Sequence, residues 1–418
     1  MSSLEVRNIG CLATPLGREA RRGKAQGEIL RLKNAAVRAE DGRLVFVGTE
    51  KDYAREFAGR PADTTLDARG RAVVPGLVDA HTHPVWLGDR AEEIARRLAG
   101  VSYATIAAEG GGINATVRAT RAGTDAELGA AVRKRLETMR DYGTTTAEAK
   151  SGYGLTEKDE IRALALLKEL SRDASLPRLV PTLLAAHEIP PEFTGNRGEW
   201  VRIVAEEIVP RAAREKLAVF CDVFCEKGVF TVEESRTILE AGRRAGLGIR
   251  VHADELARSG GAMLAAELSA ASADHLLFIE ADEIAALARS GTVAVVLPGT
   301  AWWMRSRRAP ARALVEAGVP VAVASDANPG TCCTESLVAV AAHACLDSGL
   351  SVDETLTGMT LNAASSLGLA GETGSLEAGK AADLLVLDAP DDRHLIYHWG
   401  INLVDAVVLG GRVVKGGT

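Results

Sequence analysis

Eight short apolar or β-rich runs, separated by stretches with helical periodicity, constrain this chain more than any other feature of its sequence. They cover residues 73–79, 144–150, 179–186, 218–224, 247–252, 271–275, 292–297 and 319–325. Strands that alternate with helices pair in parallel, because each crossover helix returns the chain to the same edge of the sheet. Two of the intervening stretches, residues 125–142 and 232–245, open with the Thr-x-x-Glu pattern of a capping box, at Thr124/Glu127 and Thr231/Glu234. Eight β-α units predict an α/β protein of the (β/α)8, or TIM, barrel type.

Such a barrel assembles its active site where the strands end. The chain has eight histidines. Of these, His81 and His83 close the first run, His187 follows the third, His252 closes the fifth and His275 closes the sixth, while Asp326 follows the eighth. Along a strand side chains repeat every two residues, so His81-x-His83 turns two imidazoles to one side. Neutral imidazole suits zinc, iron or nickel. Three histidines and one aspartate, with a position left for water, describe a catalytic metal site rather than a structural one.

Residues 1–72 and 378–418 lie outside the barrel count. Strand-like pieces at 27–32, 44–48 and 64–67, with others at 382–387 and 404–414, predict a second small β-domain assembled from both ends, leaving 73–377 for the barrel. A formal charge of −7 with no Lys/Arg block argues against a nucleic-acid partner and favours a small-molecule substrate. Six cysteines without a Cys-x-x-Cys pair imply a reducing compartment. No apolar run approaches the roughly 18 residues of a membrane span, and the start lacks a signal-peptide pattern, so a cytoplasmic location is expected.

This arrangement resembles the amidohydrolase superfamily, and the run Gly374-Ser375-Leu376-Glu377-Ala378-Gly379-Lys380-Ala381-Ala382-Asp383 resembles the return into its terminal β-sandwich. More specific phrases are Asp89-Arg90, Gly110-Gly111-Gly112-Ile113, Lys150-Ser151-Gly152-Tyr153-Gly154-Leu155, Val223-Phe224-Cys225-Glu226, His252-Ala253-Asp254-Glu255 and Asp326-Ala327-Asn328-Pro329-Gly330. Together they resemble the imidazolonepropionase family. The likeness runs from about residue 74 to 383. It implies hydrolysis of the cyclic amide of 4-imidazolone-5-propanoate to N-formimidoyl-L-glutamate in histidine degradation, with hydroxide carried by the ion attacking the ring carbonyl. It further implies one zinc or iron ion on His81, His83, His252 and Asp326, and substrate contacts from Arg90, Tyr103, Tyr153, His187, Glu255, Asn328, Gly330 and Thr331. It is compatible with a homodimer.

The chemistry fits these residue types. A bound metal acidifies water and polarises a carbonyl. Asp326 or Glu255 would take the water proton and pass it to the ring nitrogen, and His275 would hydrogen-bond the developing charge. Arg90 offers a planar guanidinium to the small anionic substrate, although Asp89-Arg90-Ala91-Glu92-Glu93 also reads as a solvated charged loop. Tyr153, framed by two glycines, reads as a phenol on a mobile loop, and the Gly110–Gly112 segment as a flexible rim loop. Lys150 is the rival signal, because a carboxylated lysine bridges two metals in other amidohydrolases. Its place at the end of the second strand instead favours packing or an ion pair. His343 is expected in a helix core. Two other readings stay open: a deaminase of an aminated heterocycle, which needs no Arg90, and an inactive barrel serving as a binding module, which would lack a ligand.

Overall fold

The structure is a computed structural model and describes residues 2–101, 105–106 and 109–416. Its first sheet joins the two ends of the chain. β1 (Ser3–Thr14), β2 (Leu30–Glu40), β3 (Arg43–Thr49), β4 (Thr64–Asp67) and β5 (Ala72–Pro75) come from the start, and β14 (Leu384–Leu387), β15 (Val404–Leu409) and β16 (Arg412–Lys415) from the end. They run in the order β16-β15-β14-β5-β1-β2-β3, with β4 beside β1. Period-two alternation sends Leu384 and Val386 into a core with Val6, Ile9 and Val37. Leu385 and Leu387 point the other way, onto Leu337 and Leu356 of the barrel's helices. The sheet closes around its core where Ala382 N donates to Gly42 O at 2.9 Å and Gly411 N to Ala382 O at 3.0 Å.

The second sheet is parallel throughout, in the order β13-β12-β11-β10-β9-β8-β7-β6. Its strands are β6 (Leu77–Asp79), β7 (Thr144–Lys150), β8 (Arg178–Ala186), β9 (Phe220–Cys225), β10 (Gly248–Ala253), β11 (Ser272–His275), β12 (Val293–Val296) and β13 (Val321–Val323). The first and last meet just beyond their ends, where Asp326 N donates to His81 O and His83 N to Ala327 O, both at 3.0 Å. A side chain helps: Asp79 Oδ1 accepts from Ser325 N at 2.9 Å. Val78, Val180, Phe220, Val295 and Ala322 fill the interior. Both predicted capping boxes are present, opening helices Asp125–Asp141 and Val232–Arg244. The first buries Leu128, Val132, Leu136 and Met139, one apolar stripe at helical spacing. No helix among the described residues is long and apolar enough to cross a membrane.

The strand expected over residues 73–79 is in fact two. Pro75 and Gly76 break it, so that β5 joins the terminal sheet and β6 the barrel. Gly76 passes so close to β7 that a Cβ there would lie 2.2 Å from Thr145 Oγ1. The piece expected over 27–32 is displaced as well: a 3-10 turn occupies Gly23–Gly27 and β2 runs on to Glu40. β1, twelve residues long, has no counterpart in the sequence reading. A register shift between Val6 and Ile9, with Asn8 at φ 55°, interrupts the alternation that would have revealed it.

Candidate active site

Four barrel strands bring polar residues to one rim, at or just past their carboxyl ends. His252 lies on β10 and His275 ends β11, while His81, His83 and Asp326 sit on the extensions through which β6 and β13 pair. Two of these turns are strained. His275 has φ 75° and Asp326 φ 54°, the left-handed region that bulky residues avoid at a cost of about 1–3 kcal/mol. Both side chains are thereby turned into the barrel mouth, where they are buried.

His81 Nε2 lies 3.2 Å from His83 Nε2, which is 3.4 Å from His252 Nε2. Asp326 Oδ1 is 3.5 Å from the first and 3.4 Å from the second. Carboxylates stand at the far nitrogens: His81 Nδ1 is hydrogen-bonded to Asp274 Oδ2 at 2.7 Å, and His252 Nδ1 lies 3.0 Å from Asp222 Oδ2. A carboxylate on Nδ1 holds the proton there and leaves the lone pair on Nε2. Lone pairs and a carboxylate oxygen facing one another in a buried site repel unless a cation lies between them. Separations near 3.3 Å are those of donors in a tetrahedral shell of about 2.0–2.1 Å radius. The residues therefore fit a metal ion. Burial, together with the charges around the cluster, holds His81 and His83 well below the ordinary imidazole range, in the neutral form that ligates.

Beneath the cluster lies a buried network of fixed charges. Lys150 Nζ donates to Glu148 Oε1 and Asp222 Oδ2, both at 2.7 Å, and Arg250 donates to Asp274 Oδ2 at 3.2 Å and to Ala80 O at 2.7 Å. All five side chains are fully buried. Burial alone pulls the Lys150 ammonium down, but Asp222 and Glu148 outweigh it and hold its pKa above the ordinary value. Lys150 is thus an ion-pair residue, and Asp222 carries its charge to within 3.0 Å of His252 Nδ1.

A cavity of about 420 Å³ opens above, lined by His83, Arg90, Tyr153, His187, His252, Glu255, His275, Asp326, Asn328, Gly330 and Thr331 together with apolar Ile113, Phe224, Leu256 and Met304. Every substrate-type residue named from the sequence is in that lining except Tyr103, which lies outside the described residues. His187 stacks on His83 with ring centres 5.1 Å apart, and its Nδ1 is 3.0 Å from Gly152 O. Asn328 Oδ1 accepts from Gly330 N and Thr331 N, both at 2.8 Å, so its amide braces the loop that lines the cavity. Glu255 Oε2 lies 3.6 Å from His275 Nε2. Burial, with Asp326 and Glu226 nearby, raises the Glu255 carboxyl well above the usual glutamate range. Burial pushes His275 down to about 3, so it is a neutral imidazole at physiological pH.

Three sequence expectations need correction. The Tyr153 segment is held firmly: buried Glu160 accepts from Gly152 N, Gly154 N and Leu155 N at 2.8–3.0 Å. The glycine segment is anchored too, since Gly112 begins helix Gly112–Ala122 and its N–H donates to Glu93. His343 is half-buried, paired with Asp347 at 2.9 Å and stacked on Trp302. Sequence reading missed Asp222, Asp274, Glu160 and Glu93. Asp222 carried a usable signal, because a carboxylate inside the apolar strand Phe220–Cys225 must find a buried partner.

A match to the amidohydrolase family spans residues 72–414. The chain is 47% identical over 396 residues to an imidazolonepropionase of Symbiobacterium thermophilum, covering 94% of this chain and 93% of that protein. It is 44% identical over 414 residues to one of Porphyromonas gingivalis, covering 99% and 97%. Among solved structures, a zinc-bound adenosine deaminase from Xanthomonas campestris is similar at TM-score 0.73 and 20% identity, over 100% of this chain and 93% of that one. A triazine hydrolase variant is similar at TM-score 0.74 and 18% identity, over 99% and 95%. At such identities the likeness is one of fold. The long, close sequence matches carry more, and by them the chain belongs to the amidohydrolase family and, within it, to the imidazolonepropionases.

Proposed function

We propose that this protein opens the ring of 4-imidazolone-5-propanoate by hydrolysis, giving N-formimidoyl-L-glutamate, with one zinc or iron ion on His81, His83, His252 and Asp326. The observation that carries the reading is a guanidinium, Arg90, lining the same cavity as His83, His252 and Asp326, three of the four donors, with His81 Nε2 3.2 Å from His83 Nε2 beneath them. Such an ion supplies an acidified water and polarises the ring carbonyl. Water adds to the carbonyl carbon, the carbon–nitrogen bond breaks, and the departing nitrogen takes a proton. Glu255, with its raised pKa, is suited to take the water proton and deliver it to that nitrogen. Neutral His275 is suited to donate a hydrogen bond to the oxygen as charge develops on it. Tyr153 and His187 border the ring, Tyr103 is a further contact by resemblance, and Arg90 takes the propanoate. All six cysteines are free, as suits a cytoplasmic enzyme.

Purified protein should convert imidazolone propanoate to N-formimidoyl-glutamate without releasing ammonia. Ammonia released from neutral aminated rings, with no ring opening of the acid, would replace this reading with a deaminase. Arg90→Ala removes a charge-assisted contact of about 1.5–3 kcal/mol, so binding should weaken roughly tenfold to over a hundredfold. Arg90→Lys should recover only part, because it lacks the planar fork.

A further inference from the structure

Glu93 holds Arg90 along the Nε edge of its guanidinium. Its Nε and Nη2 donate to a single oxygen of Glu93, at 3.0 and 2.9 Å, and the other oxygen of Glu93 accepts from Gly112 N at 2.8 Å. The two side chains are 6% and 13% exposed, so this is no solvated surface pair. The guanidinium lies against Gly330, where a Cβ would stand 2.3 Å from Nη1. Arg90 is the residue before helix Ala91–Leu98 and Glu93 is in its first turn, so one short segment carries both partners. A planar guanidinium held through Nε and one N–H of Nη2 turns its opposite edge, Nη1 and the other N–H of Nη2, away from Glu93.

We propose that Glu93 is the positioning residue for recognition of the substrate's carboxylate. It holds Arg90 by the Nε edge, so that the outer edge meets the propanoate already oriented, and through Gly112 it joins this grip to the glycine segment. The proposal rests on the reading that Arg90 binds the propanoate. An arginine without this support must be ordered when the substrate binds, and ordering one such side chain weakens binding by roughly three- to tenfold. Glutamine at position 93 keeps one carbonyl oxygen for Arg90 or Gly112, so it preserves one link and loses the other.

The test compares imidazolone propanoate with an imidazolone lacking the side chain, for wild type, Glu93→Ala, Glu93→Gln and Arg90→Ala. Glu93→Ala should raise KM for the acid on the order of tenfold with kcat nearly unchanged, leave the tail-less ring unaffected, and so reduce the preference for the acid. Glu93→Gln, which changes the fold least, should fall between wild type and alanine. A lower KM for the acid in either variant would mean that Glu93 competes with the substrate for Arg90, and would overturn the proposal. Equal losses on both substrates would also overturn it, since they mark a merely structural role. If Arg90→Ala keeps the wild-type preference, the carboxylate reading of Arg90 fails instead, whatever the Glu93 variants do.

Discussion

The floor and the wall of the cavity are built in opposite ways. On the floor, His81, His83, His252 and Asp326 stand on strands or their hydrogen-bonded extensions, backed by the buried charges of Asp222, Asp274, Lys150, Glu148 and Arg250. On the wall, Arg90, Asn328, Gly330 and Thr331 come from loops, held by Glu93 and by Asn328's grip on its own backbone. A strand-borne site holds its groups more tightly than a loop-borne one. A loop-borne wall can change substrate without disturbing the barrel. On the function proposed above, the floor would set the class of reaction and the wall would select the molecule, which is why fold alone does not name the substrate.

The largest effect expected is on the floor. His252→Ala or Asp326→Ala should lower turnover on the order of a thousandfold or more and remove metal from the protein. Elemental analysis and circular dichroism together would check this, because the barrel should stay folded. Full activity with metal retained would break the contrast at its strongest point.

Glu255 bridges the two regions, and Glu255→Gln should slow kcat by roughly 10²–10⁴-fold. A raised carboxyl pKa means the basic form is lost early on acidification. The wild-type kcat should therefore fall with decreasing pH from a point above the ordinary glutamate value of 4.5. A pH–rate profile flat down to 4.5 would remove Glu255 as the base.

Lys150→Met tests whether the floor's rigidity comes from its charges. It leaves Asp222 without its lysine and Glu148 with only Arg250, 3.8 Å away, a loss of about 3–5 kcal/mol in a denaturant titration. Metal affinity should drop about 10–100-fold through Asp222 and His252. Glu148→Gln combined with Lys150→Met should recover part of the stability, since one stranded charge is gone. Gly330→Ala is the mildest change. Its Cβ would displace the Arg90 guanidinium, so KM for the acid should rise by roughly tenfold, with metal content and melting temperature unchanged. A fall in metal content here would show that wall and floor are coupled.

Much of this molecule is legible locally. Strands at β7 through β13 appear as apolar or β-rich runs within a residue or two of their bounds, and both capping boxes open the helices expected of them. His81 and His83 announce themselves by a two-residue spacing. These signals have a fixed period, so neighbouring residues suffice to reveal them. Glu93 reads as part of a solvated acidic run because nothing adjacent shows that Arg90 and Gly112 enclose it. Asp222 and Asp274 drew no reading, because their partners Lys150, His252, His81 and Arg250 lie on other strands or strand extensions.

Only the tertiary structure decided that residues 73–75 leave the barrel for the terminal sheet, that Asp326 N closes the barrel on His81 O, and that Lys150 meets Asp222 from a different strand. Periodicity and the identity of chemically apt residues belong to the sequence by itself. Which buried charge answers which is set by strand order and register across the sheet, and those emerge only when segments far apart in the chain pack together.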